Sequence, residues 1–183
     1  MASELRVDRI IPTAGVPTGG GGGIIQVKQT VRTDTYSVTC GAHTTAASDA
    51  IQVQITPTRS DSKVLILVSL HGSSEYMGNV CCGAWQGYLM KNGSILVQGD
   101  ASGSRQRMTM RAGDSDSAAV EEPLNFNYLD SPVTTSAVTY GVRFHNSDNG
   151  SKVMYLNRSA GDADSVTTTT RTVSTIIAME VSG

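Results

Sequence analysis

Two neighbouring stretches decide the fold: Ile51-Gln52-Val53-Gln54-Ile55, and Val64-Leu65-Ile66-Leu67-Val68-Ser69-Leu70. In the first, apolar residues alternate with glutamine, the period of two that marks a half-buried antiparallel strand. The second is almost continuously apolar, which predicts a central strand covered on both faces. Neither carries a helical stripe, and no run of a dozen residues elsewhere keeps apolar side chains at i, i+3, i+4 and i+7. The chain therefore reads as all-β.

The same pattern extends downstream. Residues 84–90 and 94–98 flank Lys91-Asn92-Gly93, and Asn and Gly both tolerate the positive φ of a tight hairpin turn. Arg105 to Arg111 alternates, with Met108 and Met110 on one side. Leu124, Phe126 and Tyr128 alternate with Asn125 and Asn127, and Asp130-Ser131-Pro132 closes that strand as a turn. Val138, Tyr140, Val142 and Phe144 form another alternation. The turn cluster Asn146–Gly150 leads into a strand at Lys152–Asn157, and a polar loop, 158–170, precedes a last strand around Val173–Val181. About eight to ten short strands separated by turn chemistry predict an antiparallel β-sandwich or jelly roll.

Upstream the composition changes. Gly19 to Gly23 are five consecutive glycines, which have no side chain to pack and behave as a tether spanning about 12 Å. Residues 1–18 carry Leu5, Val7, Ile10 and Ile11, too few to form a core alone. The expected organisation is an arm over 1–18, a linker over 19–23 and a head domain over 24–183. A short apolar segment on a tether suits docking to a sheet edge or groove of a partner.

Composition excludes several functions. The formal net charge is −2 with 16% charged residues, so nucleic-acid binding is not expected. No apolar run approaches the length needed to cross a bilayer, and the first eleven residues contain charges where a secretory signal would be apolar. Three cysteines, Cys40 and the adjacent Cys81 and Cys82, make no disulfide framework and read as buried small apolar residues.

Catalytic and metal-binding patterns are equally thin. The glycine run lacks the Lys-Ser/Thr of a phosphate loop and leads into Ile24-Ile25-Gln26-Val27, a strand. His43, His71 and His145 are scattered, and Asp114/Asp116 and Asp162/Asp164 do not match a calcium loop. Glu121 and Glu122 are neighbours, so on a strand they point to opposite faces and cannot flank one glycosidic bond. No enzyme activity, cofactor or metal is expected.

Two segments resemble a known group. Leu5-Arg6-Val7-Asp8 with Ile10, Ile11 and Pro12, followed by Gly15-Val16-Pro17-Thr18-Gly19-Gly20, resembles the N-terminus of small marine cyanophage fibre-like proteins. The end of the chain, with VMYLNRSAGDAD from Val153 and STIIAMEV up to Val181, resembles the C-terminus of the same group, whose heads are similar to trimeric C1q/TNF-type jelly rolls. Leu129-Asp130-Ser131-Pro132 and Gly99–Arg105 also fit, whereas Cys81, Cys82 and Trp85 depart from the pattern.

The resemblance implies a bacteriophage virion structural protein, assembled in the bacterial host cytoplasm. It would be a homotrimeric fibre, knob or adaptor of the tail region, held by another virion protein through Leu5, Val7, Ile10 and Ile11. The last strand would lie near the threefold axis, with Ile176, Ala178 and Val181 along it. Loops 99–104, 112–117 and 158–165, rich in Gly, Ser and Asp, are the candidate contacts to a bacterial surface receptor. Asp100, Ser102, Arg105, Asp114, Asp162 and Asp164 are their candidate residues. The rival expectation is a capsid decoration or head knob with a purely architectural role.

Overall fold

The computed structural model describes residues 23–75, 85–113, 120–164 and 169–183. Among the described residues there is no helix, and the strands form two antiparallel sheets packed as a sandwich. In chain order they are β1 (Ile24–Arg32), β2 (Tyr36–Cys40), β3 (Ile51–Ile55), β4 (Lys63–Ser74), β5 (Gln86–Lys91), β6 (Ser94–Val97), β7 (Met110–Arg111), β8 (Glu122–Asp130), β9 (Val138–Phe144), β10 (Lys152–Leu156) and β11 (Ser174–Val181).

The six-stranded sheet is built on β4. One edge of β4 pairs with β8 over most of its length, from Val64↔Asp130 to Gly72↔Glu122. The other edge pairs first with β11 (Lys63↔Val181 to Ser69↔Thr175) and then with β10 (Gly72↔Leu156 to Ser74↔Met154). The change of partner happens at Gly72, where a Cβ would come within 2.7 Å of the Trp85 ring. β1 pairs with β11 and β2 with β10, so β1 and β2 run almost in line along the outer edge. Asn157 holds their junction: its Nδ2 donates to the carbonyls of Arg32 and Asp34, each at 2.8 Å, while its Oδ1 accepts from Ser174 Oγ. The five-stranded sheet has the order β3-β9-β5-β6, with β7 also on β5.

Alternation explains what lies between the sheets. Val64, Ile66, Val68 and Leu70 of β4, with Ile176 and Ala178 of β11, face Ile51, Val53 and Ile55 of β3 and Tyr140, Val142 and Phe144 of β9. Burying each of the larger side chains is worth about 1.5–3 kcal/mol. Trp85 packs on Phe144 with ring centroids 5.5 Å apart.

Polar clasps close the rim of this core. Tyr140 donates to Asp130 Oδ2 at 2.6 Å, and Lys91 Nζ approaches the same oxygen at 2.7 Å, joining β9, β8 and β5. Burial, and then the bond to the Asp130 carboxylate, push the Tyr140 hydroxyl far up. The Glu180 carboxylate accepts from Gln26 Nε2 (2.6 Å), Thr58 N (2.7 Å) and Thr58 Oγ1 (2.8 Å). Burial raises that carboxyl, but these donors outweigh it and hold the group below its ordinary range.

The hairpin forms where the sequence predicts it: Lys91 pairs with Ser94 around Asn92 and Gly93, at φ 49° and 83°. The segment Arg105–Arg111 differs from its expectation, since only Met110 and Arg111 join a ladder. Leu89 N bonds to the Thr109 hydroxyl at 3.1 Å, so a side chain takes the place of the next backbone rung. Gly99 N bonds to Met108 O at 3.1 Å and Arg107 Nε to Gly99 O at 2.6 Å, turning the segment back on its own loop.

The registers also fix two ends. One gathers Gly23, Lys63, the Asn92-Gly93 turn, Asp130 and the C-terminal residues, where Ser182 N bonds to Gly23 O at 3.1 Å. The other gathers Cys40–Thr44, Glu75, Gln86, Arg111 and His145–Gly150.

Candidate functional site

In antiparallel sheets, paired residues share a face. Following the pairs across the outer side of the six-stranded sheet gives an uninterrupted apolar row, Val27↔Met179↔Leu65↔Leu129. The next row is Gln29↔Ile177↔Leu67↔Asn127, then Val31↔Thr175↔Ser69↔Asn125, and on the other side lies Ile24↔Val181↔Lys63. The edge members are open to solvent, with Ile24 at 61% exposure, Val27 and Val31 at 51% and Leu129 at 48%. Leu65, Leu67, Ile177 and Met179 are half-buried by their neighbours in the sheet.

The composition of β11 makes this face unusual. Its inward set is Ser174, Ile176, Ala178 and Glu180, and its outward set is Thr175, Ile177, Met179 and Val181. The set turned away from the core is the more apolar of the two. Likewise the run Val64–Leu70, predicted to be covered on both faces, is covered by its own chain on one face only among the described residues. The apolar residues of this face are contiguous across β1, β11, β4 and β8, exposed at its edges and half-buried at its centre.

The expected site residues fall in several places. Ile176 and Ala178 are each 0% exposed and lie between the sheets, so they are not available to line an axis. The period of two separates them from Val181, which is on the outer face with Met179 and Ile177. Asp100, Ser102 and Arg105 are exposed, and Arg105 Nη1 bonds to Ser102 Oγ at 2.9 Å and Ser102 O at 3.4 Å. Asp164 is exposed. Asp162 is engaged within its own loop by Arg171 and by Arg158 at 3.2 Å. The Arg171 bond, then the Arg158 charge, hold its carboxyl below the ordinary range. Leu5, Val7, Ile10, Ile11 and Asp114 lie outside the described residues, as do Cys81 and Cys82.

Val27, Leu65, Leu129, Ile177 and Met179 were not singled out in the sequence. Their signal was the doubly apolar character of VLILVSL and STIIAMEV. Among the described residues no group of three or more His, Cys, Asp or Glu side chains converges as a metal site. No protein-family model and no curated protein matches the chain.

Proposed function

We propose that this chain is a non-enzymatic structural protein of a bacteriophage particle. In this reading its β-sandwich head associates with two further copies of itself, and its N-terminal arm docks it to another virion protein. The observation that carries the self-association is the apolar row Val27, Met179, Leu65 and Leu129, which crosses all four strand positions of one outer face. Burying such a row against another copy needs no change in the fold of the subunit.

The strand order supports the jelly-roll form of that head. Leaving aside β2, β7 and β10, the order β1-β11-β4-β8 faces β3-β9-β5-β6. Counted from one to eight along the chain, these strands run 1-8-3-6 and 2-7-4-5, the interleaving of two Greek keys. The virion assignment rests on the resemblance of both chain ends to cyanophage fibre-like proteins. The chain leaves the head at Gly23, beside the C-terminus, so the arm would hold the head by one end.

The test is incorporation. Full-length chain is expected to copurify with particles, and replacing Leu5, Val7 and Ile10 together by Asp is expected to abolish this while leaving the head folded. Particles that lack the wild-type chain, or that take up the triple variant equally well, would overturn the docking reading.

A further inference from the structure

At the end of the sandwich away from Gly23, a cleft of about 640 Å³ opens between three loops. The geometry points to a binding site for a carboxylate-bearing saccharide there, with Arg105 and Gln106 as principal contacts. The inference takes its biological setting from the reading of an arm-held head, whose far end would face outward from the particle.

Apart from Met108, the described lining is polar and holds no acid. His43, Gln86, Arg105, Gln106, Arg111 and Ser147 contribute guanidinium, imidazole, amide and hydroxyl groups. No carboxylate occurs among the described lining residues, although the chain as a whole is acidic. Arg105 bonds only to neutral acceptors, the Ser102 hydroxyl and carbonyl, so its charge is not spent on an ion pair among the described residues. A guanidinium matches a carboxylate through two parallel N–H donors, which an ammonium cannot do. Amides and hydroxyls both donate and accept, which suits a ring bearing several hydroxyl groups.

The walls are held in place before any ligand arrives. His43 has φ 53°, a backbone conformation few residues other than glycine adopt. It is kept there by its own N–H, which donates to Asp148 O at 3.2 Å. Its ring spans two loops, with Nε2 bonded to Asn149 Oδ1 at 2.9 Å and Gln106 Nε2 donating to Nδ1 at 3.3 Å. Gln86 is 1% exposed at the base, where its Nε2 donates to Ser147 Oγ. Asp148, the acidic residue of the neighbouring turn, is turned to Lys152 at 3.4 Å. A strained backbone position supported by side chains from three loops is the kind of pre-organisation that lowers the ordering cost of binding. The volume is in the range that encloses a small ligand or one to two sugar rings of a chain. Met108 is the one large apolar side chain in the lining, so the cleft offers little to a hydrophobic peptide.

Calorimetric titration of the full chain tests this with a galacturonic-acid trisaccharide, the matching neutral galactose trisaccharide and inorganic sulfate. The acidic trisaccharide is expected to bind saturably and to weaken as salt is raised. Arg105→Ala should weaken it about tenfold or more, the loss of a charge-assisted contact, and Gln106→Ala roughly threefold. Gln54→Ala, on an outer strand away from the cleft, should leave it unchanged, and thermal unfolding verifies that each variant is folded. The inference is overturned by absence of binding to the folded chain or by equal affinity for the neutral sugar. Sulfate binding as tightly as the saccharide would show a bare anion site, and unchanged binding in both cleft variants would place the site elsewhere. A monomeric chain that binds the acidic sugar would remove the assembly reading alone; an assembled chain that binds none would remove this inference alone.

Discussion

The outer faces of the two sheets differ most where β3 and β9 are set against β11 and β4, although Tyr88, Met90 and Ile95 also lie on the outer side of the five-stranded sheet. On the five-stranded sheet, β3 turns Gln52 and Gln54 to solvent, and β9 presents Thr139 and Arg143, the latter paired with Asp49 at 2.6 Å. Gly141 leaves room there for the Asp49 side chain, which occupies the space a Cβ would need. On the six-stranded sheet the same positions carry valine, methionine and leucine. Both sheets bury one face in the same core, so folding of the single chain does not account for the difference. Under the proposed assembly, contact with another copy accounts for it.

The largest effect should come from making the two faces alike. Leu65→Glu with Met179→Glu is expected to convert an assembled chain to monomer, because each interface would bury charges without partners. Gln52→Glu with Gln54→Glu, the same charge change on the other face, is expected to leave the assembly intact. Gel filtration with light scattering distinguishes the pairs.

The next contrast lies within β11 and is read best on the monomeric double-Glu background, where assembly contributes nothing. Ile176→Ala opens a cavity in the core and should cost about 2–5 kcal/mol in urea unfolding. Ile177→Ala removes only a half-buried side chain and should cost under about 1 kcal/mol. Equal costs would mean that the two faces of β11 have been assigned the wrong way round.

A smaller effect concerns the rim beside the apolar face. The Glu180 carboxyl is held below its ordinary range by Gln26 and Thr58 despite its burial. A depressed folded-state value means that its contribution is complete above the unfolded value, about 4.3, and is lost as pH falls through the folded value. Glu180→Gln should lower stability at pH 7 by about 1–2 kcal/mol and flatten the fall in stability below about pH 4. Thermal midpoints measured from pH 7 to pH 3 test both parts. Least of all, Gly93→Ala should cost about 1 kcal/mol at the β5–β6 turn, since alanine must take φ 83° there, without altering assembly.

Much of the core was legible because alternation is unambiguous where one face is polar. Gln52 and Gln54 leave no doubt that Ile51, Val53 and Ile55 face inward, and the pattern of Val138 to Phe144 is as clear. STIIAMEV is apolar on both sets, and Glu180 falls in the inward one. The period alone therefore does not say which set meets the core, and Ile176 and Ala178, expected along an intersubunit axis, lie between the sheets instead. Arg105–Arg111 alternates convincingly, but a strand also needs a partner, and the Thr109 hydroxyl ends the ladder. Of the cleft, only Arg105 was legible, as part of a candidate contact loop: His43, Gln86 and Ser147 are far from it in the chain, and only the closing of loops at one end brings them together.

In the proposed assembly, copies of the same chain cover the apolar outer face of the six-stranded sheet. Sedimentation equilibrium of the full-length chain at micromolar concentration, beside the Leu65→Glu, Met179→Glu variant, tests it most directly. The expected result is the mass of three chains for the wild type and of one chain for a variant that remains folded. A wild-type monomer, or a variant that keeps the wild-type mass, would contradict it.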